Sequence, residues 1–445
     1  MRYVSINSVP NLSTGTVMLQ VTEEHRALGD ECWCMWGRGR AAENDYEFNF
    51  GNRVEFYLDA LQTRFDGKAG FHSKLATRRL LKKLEEIKPD VVHLHNVHGY
   101  YVNVRMLFDW LAIHEGVRVK WTLHDCWAFT GHCVHFTYAQ CTQWRKDCAQ
   151  SEGCPQLHRY PRTISRQSCA WNFEQKKACF TQLPAGRLTI VTPCNWLKGL
   201  VEESFLSKYP TEVRYNTIDV DVFRPTASDF RERFGIGKRY MVLGVASAWS
   251  DRKGLGDYVS LAHELDSKDF AIVLVGLTPK QTRDIAKRLT IPPKARGVAW
   301  ITNADSIIEA IVHGAPYKAS KQNLLSDCYA GHATVSEGSL AESTPTKGYF
   351  STRADVSSLR ASIVNLPGGG LVALLLRTDS AQQLAALYTA ADVFFNPTHE
   401  DTYPTVNLEA EACGLRVVTY DTGGCRETIR RPDSIVIETT SFGAK

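Results

Sequence analysis

The sequence has little of several features that would place it in a specialised class of protein. It has no apolar run near the roughly 18 residues of a membrane span, and its start, MRYVSINSV, alternates like a strand rather than resembling a secretion signal. Its charge is almost balanced, with 52 basic and 48 acidic side chains among 445 residues. That balance argues against a nucleic-acid partner bound through a basic face. We therefore expect a cytoplasmic globular protein of two to four domains.

Cysteine is unusually abundant, with 13 residues in the chain. An odd number does not suit a secreted disulfide framework. Four of the cysteines lie close together in sequence, at Cys133, Cys141, Cys148 and Cys154. Four ligands suit a structural zinc ion, although the spacings of 8, 7 and 6 residues differ from the usual Cys-x2-Cys. Three interpretations stay open: structural zinc, free thiols and redox pairing.

Short β-rich apolar runs alternate with amphipathic stretches along most of the chain. The runs lie at residues 3–6, 91–94, 119–123, 188–192, 240–246, 271–275, 391–396 and 415–419. Such alternation predicts parallel sheets covered by helices on both faces. A turn-rich stretch at 216–225 separates the two halves of this series. It predicts two doubly wound α/β domains, residues 1–225 and 226–445, whose sheets end at a shared cleft.

Two segments need separate interpretations. Residues 74–88, KLATRRLLKKLEEIK, predict an amphipathic helix with basic flanks. This is either an ordinary surface helix or a basic helix that rests on anionic lipid. Residues 291–370 have no steady period, and about 80 such residues are too many for a normal connection. We predict an insertion in the second domain there.

The most informative segment is NPTHEDTYPTVNLEAEACG, at residues 396–414. A predicted strand enters a polar loop, and a helix is predicted to begin near Pro404. The first N–H groups of such a helix attract an anion, phosphate above all. These groups belong to Thr405, Val406 and Asn407. Asp401 and Glu409 flank the helix start, where they can accept hydrogen bonds from sugar or ribose hydroxyls; alternatively, Asp401 is an N-cap and Glu409 is solvated.

Two adjacent cations follow the predicted strand at 240–246. They are Arg252 and Lys253 in the sequence WSDRKGLG. A lysine acts as a point charge and an arginine as a fork, so the pair suits a diphosphate. The alternative is a solvated turn.

In the first half, histidines cluster at two predicted strand ends. They are His93, His95, His98 and His124. They form either the polar wall of a cleft, within reach of a sugar hydroxyl, or a set of satisfied structural groups. The loop Ser-Thr-Gly that ends at Gly15 follows the first strand. It lies either near a substrate or in a simple turn.

Together these motifs resemble the family 4 glycosyltransferases. DTYPTVNLE, at 401–409, is similar to their acidic-x7-acidic signature, and Lys253 followed by glycine resembles their phosphate-binding pair. Residues 422–427, TGGCRE, resemble the loop after the next strand. HLHNVHGYYVN at 93–103 and WTLHDCWAFTGHC at 121–133 resemble a bacterial subgroup. Its members build capsular, exopolysaccharide and colanic-acid-type glycans, and a cysteine-rich loop, here residues 126–156, is a feature of the subgroup.

The resemblance implies a GT-B fold, in which a first Rossmann-like domain binds the acceptor and a second binds the nucleotide-sugar. It implies a retaining hexosyltransferase without a catalytic metal. The donor is a UDP- or GDP-sugar and the acceptor a glycan or lipid-linked molecule, with peripheral contact to the inner membrane surface. The implied catalytic residues are His124 and Asp401. The implied donor-binding residues are Gly15, Arg252, Lys253, Tyr403, Thr405, Val406, Asn407 and Glu409.

Three features depart from the family pattern. Residues 246–248, Ala-Ser-Ala, stand where the family usually has an arginine, and the 291–370 segment has no counterpart in it. The chain also stops at Lys445, where relatives usually continue with further helices. These departures favour the alternative of an incomplete GT-B protein that binds nucleotide or glycan without turnover.

Overall fold

A computed structural model describes residues 1–148, 153–290, 304–312 and 353–438. They form two compact units, the first ending at Thr217 and the second beginning at Ile218. The boundary lies a few residues before the predicted position 225. Unit 1 and unit 2 each contain one sheet with helices.

The described part of unit 1 is built on a seven-stranded parallel sheet. Its strands are β1 (Arg2–Asn7), β2 (Glu31–Trp36), β3 (Glu47–Asn49), β4 (Val91–Leu94), β5 (Arg118–Thr122), β6 (Leu188–Thr192) and β7 (Thr211–Val213). Its helices are α1 (Leu12–Ala27), α2 (Arg53–Asp66), α3 (Lys74–Ile87), α4 (Val104–Ile113), α5 (Ser168–Phe180) and α6 (Asn195–Glu202). The strand order 3-2-1-4-5-6-7 reverses between β1 and β4, as in a Rossmann fold.

Unit 2 repeats this plan in its described residues. Its strands are β8 (Tyr240–Val245), β9 (Phe270–Val275), β10 (Ala361–Asn365), β11 (Leu371–Leu375), β12 (Val393–Asn396), β13 (Val417–Tyr420) and β14 (Ile435–Ile437). Its helices are α7 (Phe230–Arg233), α8 (Leu255–Glu264), α9 (Pro279–Thr290), α10 (Ala304–Val312), α11 (Ala381–Ala390) and α12 (Thr405–Ala412). The order is β10-β11-β9-β8-β12-β13-β14, and it reverses between β8 and β12.

The sequence of the central strands explains their burial. β9 reads FAIVLV and β11 reads LVALL, and all five residues of β11 are buried. Strands covered on both faces carry such continuous apolar runs because neither face meets water. The core of unit 2 packs Leu243, Val273 and Ala373 of the sheet against Leu387 of α11.

All eight predicted strands are present, and the helix predicted at 74–88 is α3. The sequence prediction missed the interior strand β2 and the short or edge strands β3, β7, β10 and β14, while β11 begins directly after the predicted insertion. β10 pairs antiparallel with β11 at the edge of the sheet, so regular structure resumes before the predicted end of the insertion at residue 370. The helix α10 also lies within 291–370, and the remaining residues up to 352 lie outside the described part of the chain. Among the described helices, none combines the length and apolarity needed to cross a bilayer.

Candidate functional site

The strongest candidate site lies where the strand order of unit 2 reverses. In open α/β sheets, ligands bind beyond the carboxyl ends of the two strands that flank this point. Here these strands are β8 and β12, which pair directly. The loop after β8 carries Arg252 and Lys253, and the loop after β12 carries Asp401. The fold therefore brings the two predicted motifs together, although about 150 residues of sequence separate them.

Hydrogen bonds to backbone carbonyls fix the two loops to each other. The N–H of His399 donates to the carbonyl oxygen of Arg252 at 2.8 Å, and the Arg252 guanidinium donates to the carbonyl oxygen of Glu400. Gly254 ends the turn with a φ of 72°, and a Cβ there would overlap the Pro397 carbonyl. Only glycine adopts this conformation so close to another backbone. These contacts therefore hold the turn that carries Arg252 and Lys253 in a fixed position.

Lys253 and Asp401 form an ion pair. Their side chains are 24% and 16% exposed, so both can still be reached from solvent. The sequence assigned them separate partners, a phosphate and a sugar, whereas in this structure each is the partner of the other. A bound phosphate would compete with the carboxylate for the Lys253 ammonium, because both are anions.

The loop after β13 holds the backbone of Asp401 in place. The N–H of Gly424 donates to the Asp401 carbonyl at 3.3 Å. Gly423 has a φ of 57°, and a Cβ on it would overlap that same oxygen. The Thr422 hydroxyl donates to the Thr398 carbonyl at 2.8 Å. The Thr-Gly-Gly motif therefore holds the backbone of the Asp401 loop in position.

Helix α12 begins after Pro404, which has an extended backbone and serves as its N-cap. The N–H groups of Thr405 and Val406 occupy the first positions of the helix, where no intrahelical acceptor exists. Asn407 differs from its predicted role, because its N–H donates to the Pro404 carbonyl at 3.1 Å. Its fully buried amide also accepts from Asn396 at 2.9 Å and donates to Thr428 at 2.8 Å. Asn407 fastens the helix rather than facing a ligand.

Glu409 is partly buried one turn into α12, so it is not the solvated carboxylate of the alternative interpretation. It accepts hydrogen bonds from the Tyr388 hydroxyl at 3.1 Å and the Thr405 hydroxyl at 3.4 Å. Burial raises its pKa to about 7, more than these two hydrogen bonds lower it. The group therefore changes charge near neutral pH. Tyr403 is buried, and its hydroxyl accepts a hydrogen bond from Arg430 at 3.5 Å.

Sequence reasoning missed Asp257, in the first turn of α8. Its carboxylate accepts from the Tyr420 hydroxyl at 3.1 Å and lies 3.1 Å from Nε2 of His399. It thereby joins α8 to the loop after β12 and to β13. An acidic residue in the first turn of a helix that follows glycines is the signal that would have found it.

In unit 1, the histidines lie at the carboxyl ends of β4 and β5, as predicted. Nδ1 of His95 lies 3.2 Å from Nε2 of His124, and the two rings are stacked. Burial lowers the pKa of His124 to about 4, so its imidazole is neutral at pH 7. His98 pairs with Asp125 at 2.8 Å. His93 is fully engaged, with the Tyr3 and Thr122 hydroxyls each at 2.7 Å, and is structural.

Gly15 is not in a loop. It lies in the first turn of α1 and is buried. A Cβ there would clash with the carbonyl of Pro10. The glycine therefore allows α1 to start close to the chain that leaves β1, and no ligand contact is needed to explain it.

Two cysteines of the predicted zinc set, Cys148 and Cys154, contact groups outside that set. Cys154 packs against Cys169, a cysteine outside the set, and the Cys148 sulfur accepts a hydrogen bond from the N–H of Gly131 at 3.0 Å. In the parts of the chain that the structure describes, no three His, Cys, Asp or Glu side chains are grouped as metal ligands. Zinc binding stays a prediction, beside free thiols and redox pairing.

A buried cation near these thiols was missed. Lys176 of α5 is fully buried, and its ammonium donates to the carbonyls of Trp127 at 2.8 Å and Thr130 at 3.0 Å. It also lies 3.5 Å from the centre of the Trp127 ring. Burial lowers its pKa to about 7, while nearby cysteines, Cys148 first, raise it. Sequence gives no signal for this role, because Lys176 is one of two adjacent lysines in an ordinary helix.

Comparison with known proteins finds a family match within unit 2. Residues 355–441 match the family model for glycosyl transferases group 1. The segment includes Asp401, the start of α12 and the Thr-Gly-Gly loop. One curated protein, the putative colanic acid biosynthesis glycosyl transferase WcaC of Escherichia coli (strain K12), is 36% identical over 77 residues. The match covers 16% of this chain and 18% of that relative's length.

Solved structures resemble the fold over almost the whole chain. Sucrose-phosphate synthase from Thermosynechococcus elongatus has a TM-score of 0.54 at 11% identity, covering 99% of this chain and 86% of that one. The catalytic domain of starch synthase IV from Arabidopsis thaliana, bound to ADP and acarbose, has 0.53 at 13%, covering 99% and 89%. Anabaena HepE in complex with UDP-glucose has 0.51 at 12%, covering 99% and 86%. At these identities the likeness concerns the fold, and it confirms the predicted GT-B fold.

Proposed function

We propose that this protein is a glycosyltransferase that moves a sugar from a nucleotide-sugar to an acceptor hydroxyl. The observation that carries the proposal is the meeting of Arg252 and Lys253 with Asp401 and the start of α12 at the switch point of unit 2. That point is where an α/β sheet binds a nucleotide. The match of 355–441 to group 1 glycosyl transferases supports the proposal, as do neighbours solved with ADP or UDP-glucose.

The donor diphosphate is the ligand that this site suits best. Lys253 and Arg252 supply two positive charges, and Thr405 and Val406 supply N–H groups at a helix start. Glu409 lies one turn inside the helix, and we assign it to the ribose hydroxyls. Asp401 is assigned to the donor sugar once phosphate has displaced it from Lys253. UDP- and GDP-sugars are the proposed donors.

The chemistry requires stabilisation of a departing nucleoside diphosphate beside an oxocarbenium-like sugar. Lys253 and Arg252 are suited to that task, because they place fixed positive charge where negative charge develops. We assign a retaining, family 4 mechanism without a catalytic metal, in which the acceptor hydroxyl attacks on the leaving-group face and its proton passes to the phosphate. The role of the neutral His124 near the transferred sugar stays a prediction.

The acceptor and the process belong to the same proposal. The similarity to WcaC supports a bacterial role in surface polysaccharide synthesis, of the capsular or exopolysaccharide type. The acceptor is then a glycan or a lipid-linked glycan. We propose that the protein meets this acceptor in the cytoplasm, in peripheral contact with the membrane. A structural zinc in the cysteine-rich loop is a separate hypothesis, which metal analysis of the purified protein decides.

A second candidate is a GT-B protein that binds nucleotide without turnover. The observation that favours it is the Lys253–Asp401 ion pair, in which each group of the site neutralises the other. Such a protein would be stabilised by UDP or GDP and would transfer no sugar.

The test is a transfer assay with a panel of UDP- and GDP-sugars. We expect one donor to be consumed in the presence of acceptor, and Lys253→Ala to lower the rate by about 100-fold or more, as loss of one charge-stabilising group does. Lys238→Ala, which removes an exposed lysine of the same unit, is the matched control. An unchanged rate in Lys253→Ala would overturn the site assignment. Thermal stabilisation by nucleotide without any transfer would favour the second candidate.

A further inference from the structure

Helix α2 of unit 1 exposes its apolar side to solvent. The residues that it buries are Asp59 and Thr63. Its large apolar side chains are exposed: Val54 by 68%, Tyr57 by 61%, Leu58 by 53%, Leu61 by 55% and Phe65 by 62%. A surface helix of a globular protein normally shows the reverse arrangement.

These five side chains form one continuous stripe. They recur at positions i, i+3, i+4, i+7 and i+11, and at 3.6 residues per turn they span an arc of about 100°. Scattered exposed apolar residues need no explanation, whereas a contiguous apolar patch marks an interaction surface.

The interior contacts fix this orientation of the helix. The buried Asp59 carboxylate accepts hydrogen bonds from the Ser73 hydroxyl and from the Thr63 hydroxyl, the latter at 3.2 Å. Phe56, on the inner side, packs against Tyr100 at 5.8 Å between ring centroids. Rotating the apolar stripe inward would expose Phe56 and break the bonds to Asp59. The exposed stripe is therefore a stable feature of unit 1.

Two further exposed apolar side chains belong to segments that contact α2. Leu75, in the first turn of α3, is 57% exposed. Ile164 is 55% exposed, and its N–H donates to the carbonyl of Arg64 at 3.0 Å, which places it beside the end of α2. We name this surface, made of the five α2 side chains with Leu75 and Ile164, the α2 face.

The rim of the α2 face is positively charged. Arg53, Arg64, Lys74 and Arg78 are exposed on α2 and α3. The carboxylates of α2 are engaged: Asp59 as above, Glu55 with Arg79 at 3.0 Å, and Asp66 with His72 at 3.1 Å. An apolar centre with a cationic rim complements a partner that has an apolar interior and anionic groups at its boundary with water.

We propose that the α2 face docks on an anionic phospholipid bilayer. A helix with an apolar stripe and basic flanks lies in the bilayer interface with its apolar side chains among the acyl chains and its cations at the headgroups. Tyr57 suits this depth, since its ring has an apolar body and a polar tip. The proposal rests on the proposed function only for the peripheral contact with a membrane. It places that contact on α2, whereas the sequence suggested the basic helix α3.

Flotation of the full chain with vesicles tests the docking directly. We expect the protein to float with phosphatidylglycerol-containing vesicles and to bind pure phosphatidylcholine vesicles less, with the difference reduced at high salt. The double variant Leu58→Gln, Leu61→Gln should bind at least about tenfold more weakly, because two aliphatic side chains leave the acyl region. The matched control is Leu28→Gln, Ile113→Gln, which changes two exposed aliphatic residues elsewhere on unit 1.

The α2 substitutions replace exposed side chains, so the variant should fold, and an unchanged unfolding temperature checks this. Equal flotation of the double variant and the wild type would overturn the proposal, as would failure of the wild type to bind anionic vesicles. A dimer in sedimentation velocity that the double variant abolishes, without vesicle binding, would instead assign the face to a second copy. Hydrogen exchange of residues 53–66 should slow further when anionic vesicles are added, and an unchanged rate on their addition would count against docking through α2. Lys253→Ala should float like the wild type, which separates this proposal from the proposed function.

Discussion

Glu409 illustrates how burial changes the behaviour of a predicted site residue. A carboxyl with a pKa of about 7 is partly protonated at neutral pH, whereas in the unfolded chain it ionises near its ordinary value of 4.5. The folded protein therefore binds more protons than the unfolded chain between about pH 4.5 and 7. In that window the free energy of unfolding falls as the pH rises.

Replacing Glu409 by Gln should remove this pH dependence. The Gln side chain keeps hydrogen-bonding atoms near Tyr388 and Thr405 and carries no charge. We expect the variant to match the wild type near pH 5 and to exceed its stability at pH 8 by an amount on the order of 2 kcal/mol. Urea unfolding at the two pH values measures the difference.

Glu264→Gln, at an exposed position of α8, is the control and should leave the pH dependence as it is. Parallel pH profiles for Glu409→Gln and the wild type would contradict the raised pKa. Weaker binding of nucleotide by Glu409→Gln, which keeps its fold, would support the ribose assignment separately.

At the scale of the element, α12 depends on a buried amide. The Asn407 side chain lies between Asn396 at the end of β12 and Thr428 beyond β13. It therefore sets the position of the helix start relative to both loops of the site. An eight-residue helix has little stability of its own, so tertiary contacts must hold it.

We expect Asn407→Ala to lower the free energy of unfolding by about 2–4 kcal/mol, because two hydrogen bonds are lost and their buried partners are left unsatisfied. Chemical denaturation measures the change. Asn365→Ala, at the exposed end of the edge strand β10, should cost little. Similar losses in the two variants would show that Asn407 does not fasten α12.

For the whole molecule, the site in unit 2 predicts where a nucleotide acts. The loops after β8 and β12 both belong to this unit and are hydrogen-bonded to each other. UDP or GDP at 100 times its Kd should stabilise the folded state by about 2.7 kcal/mol. In hydrogen exchange, we expect added nucleotide to protect residues 247–254 and 398–409, with little change at residues 8–15 of unit 1.

Protection centred on residues 8–15 instead would place the nucleotide on unit 1 and contradict the assignment of the units. The variant Asp401→Asn offers a further check. It removes the carboxylate that occupies Lys253, so it should leave nucleotide binding intact or strengthen it.

Most of the buried parallel strands and the site motifs could be predicted from sequence, because their signals are local. Strands such as β9 and β11 are continuous apolar runs, and DTYPTVNLE carries a helix start beside two acidic residues. The interior strand β2 and the short or edge strands β3, β7, β10 and β14 escaped prediction. β3 and β7 have only three residues each, and the alternation of β10 is too short to stand out from its surroundings. Roles that depend on long-range contacts were equally out of reach.

The sequence by itself determined two doubly wound α/β units and the residue types at the ends of their strands, since apolar periodicity depends only on neighbouring residues. The tertiary structure decided which of those residues meet. It paired Lys253 with Asp401, buried Glu409 until its pKa rose, enclosed the Asn407 amide and placed Gly15 inside a helix. It also turned the apolar stripe of α2 outward, because Asp59 is buried against Ser73 just before α3, a contact that the sequence of α2 alone does not show. Burial and long-range hydrogen bonds arise only when distant segments pack together, and that is why they required the fold.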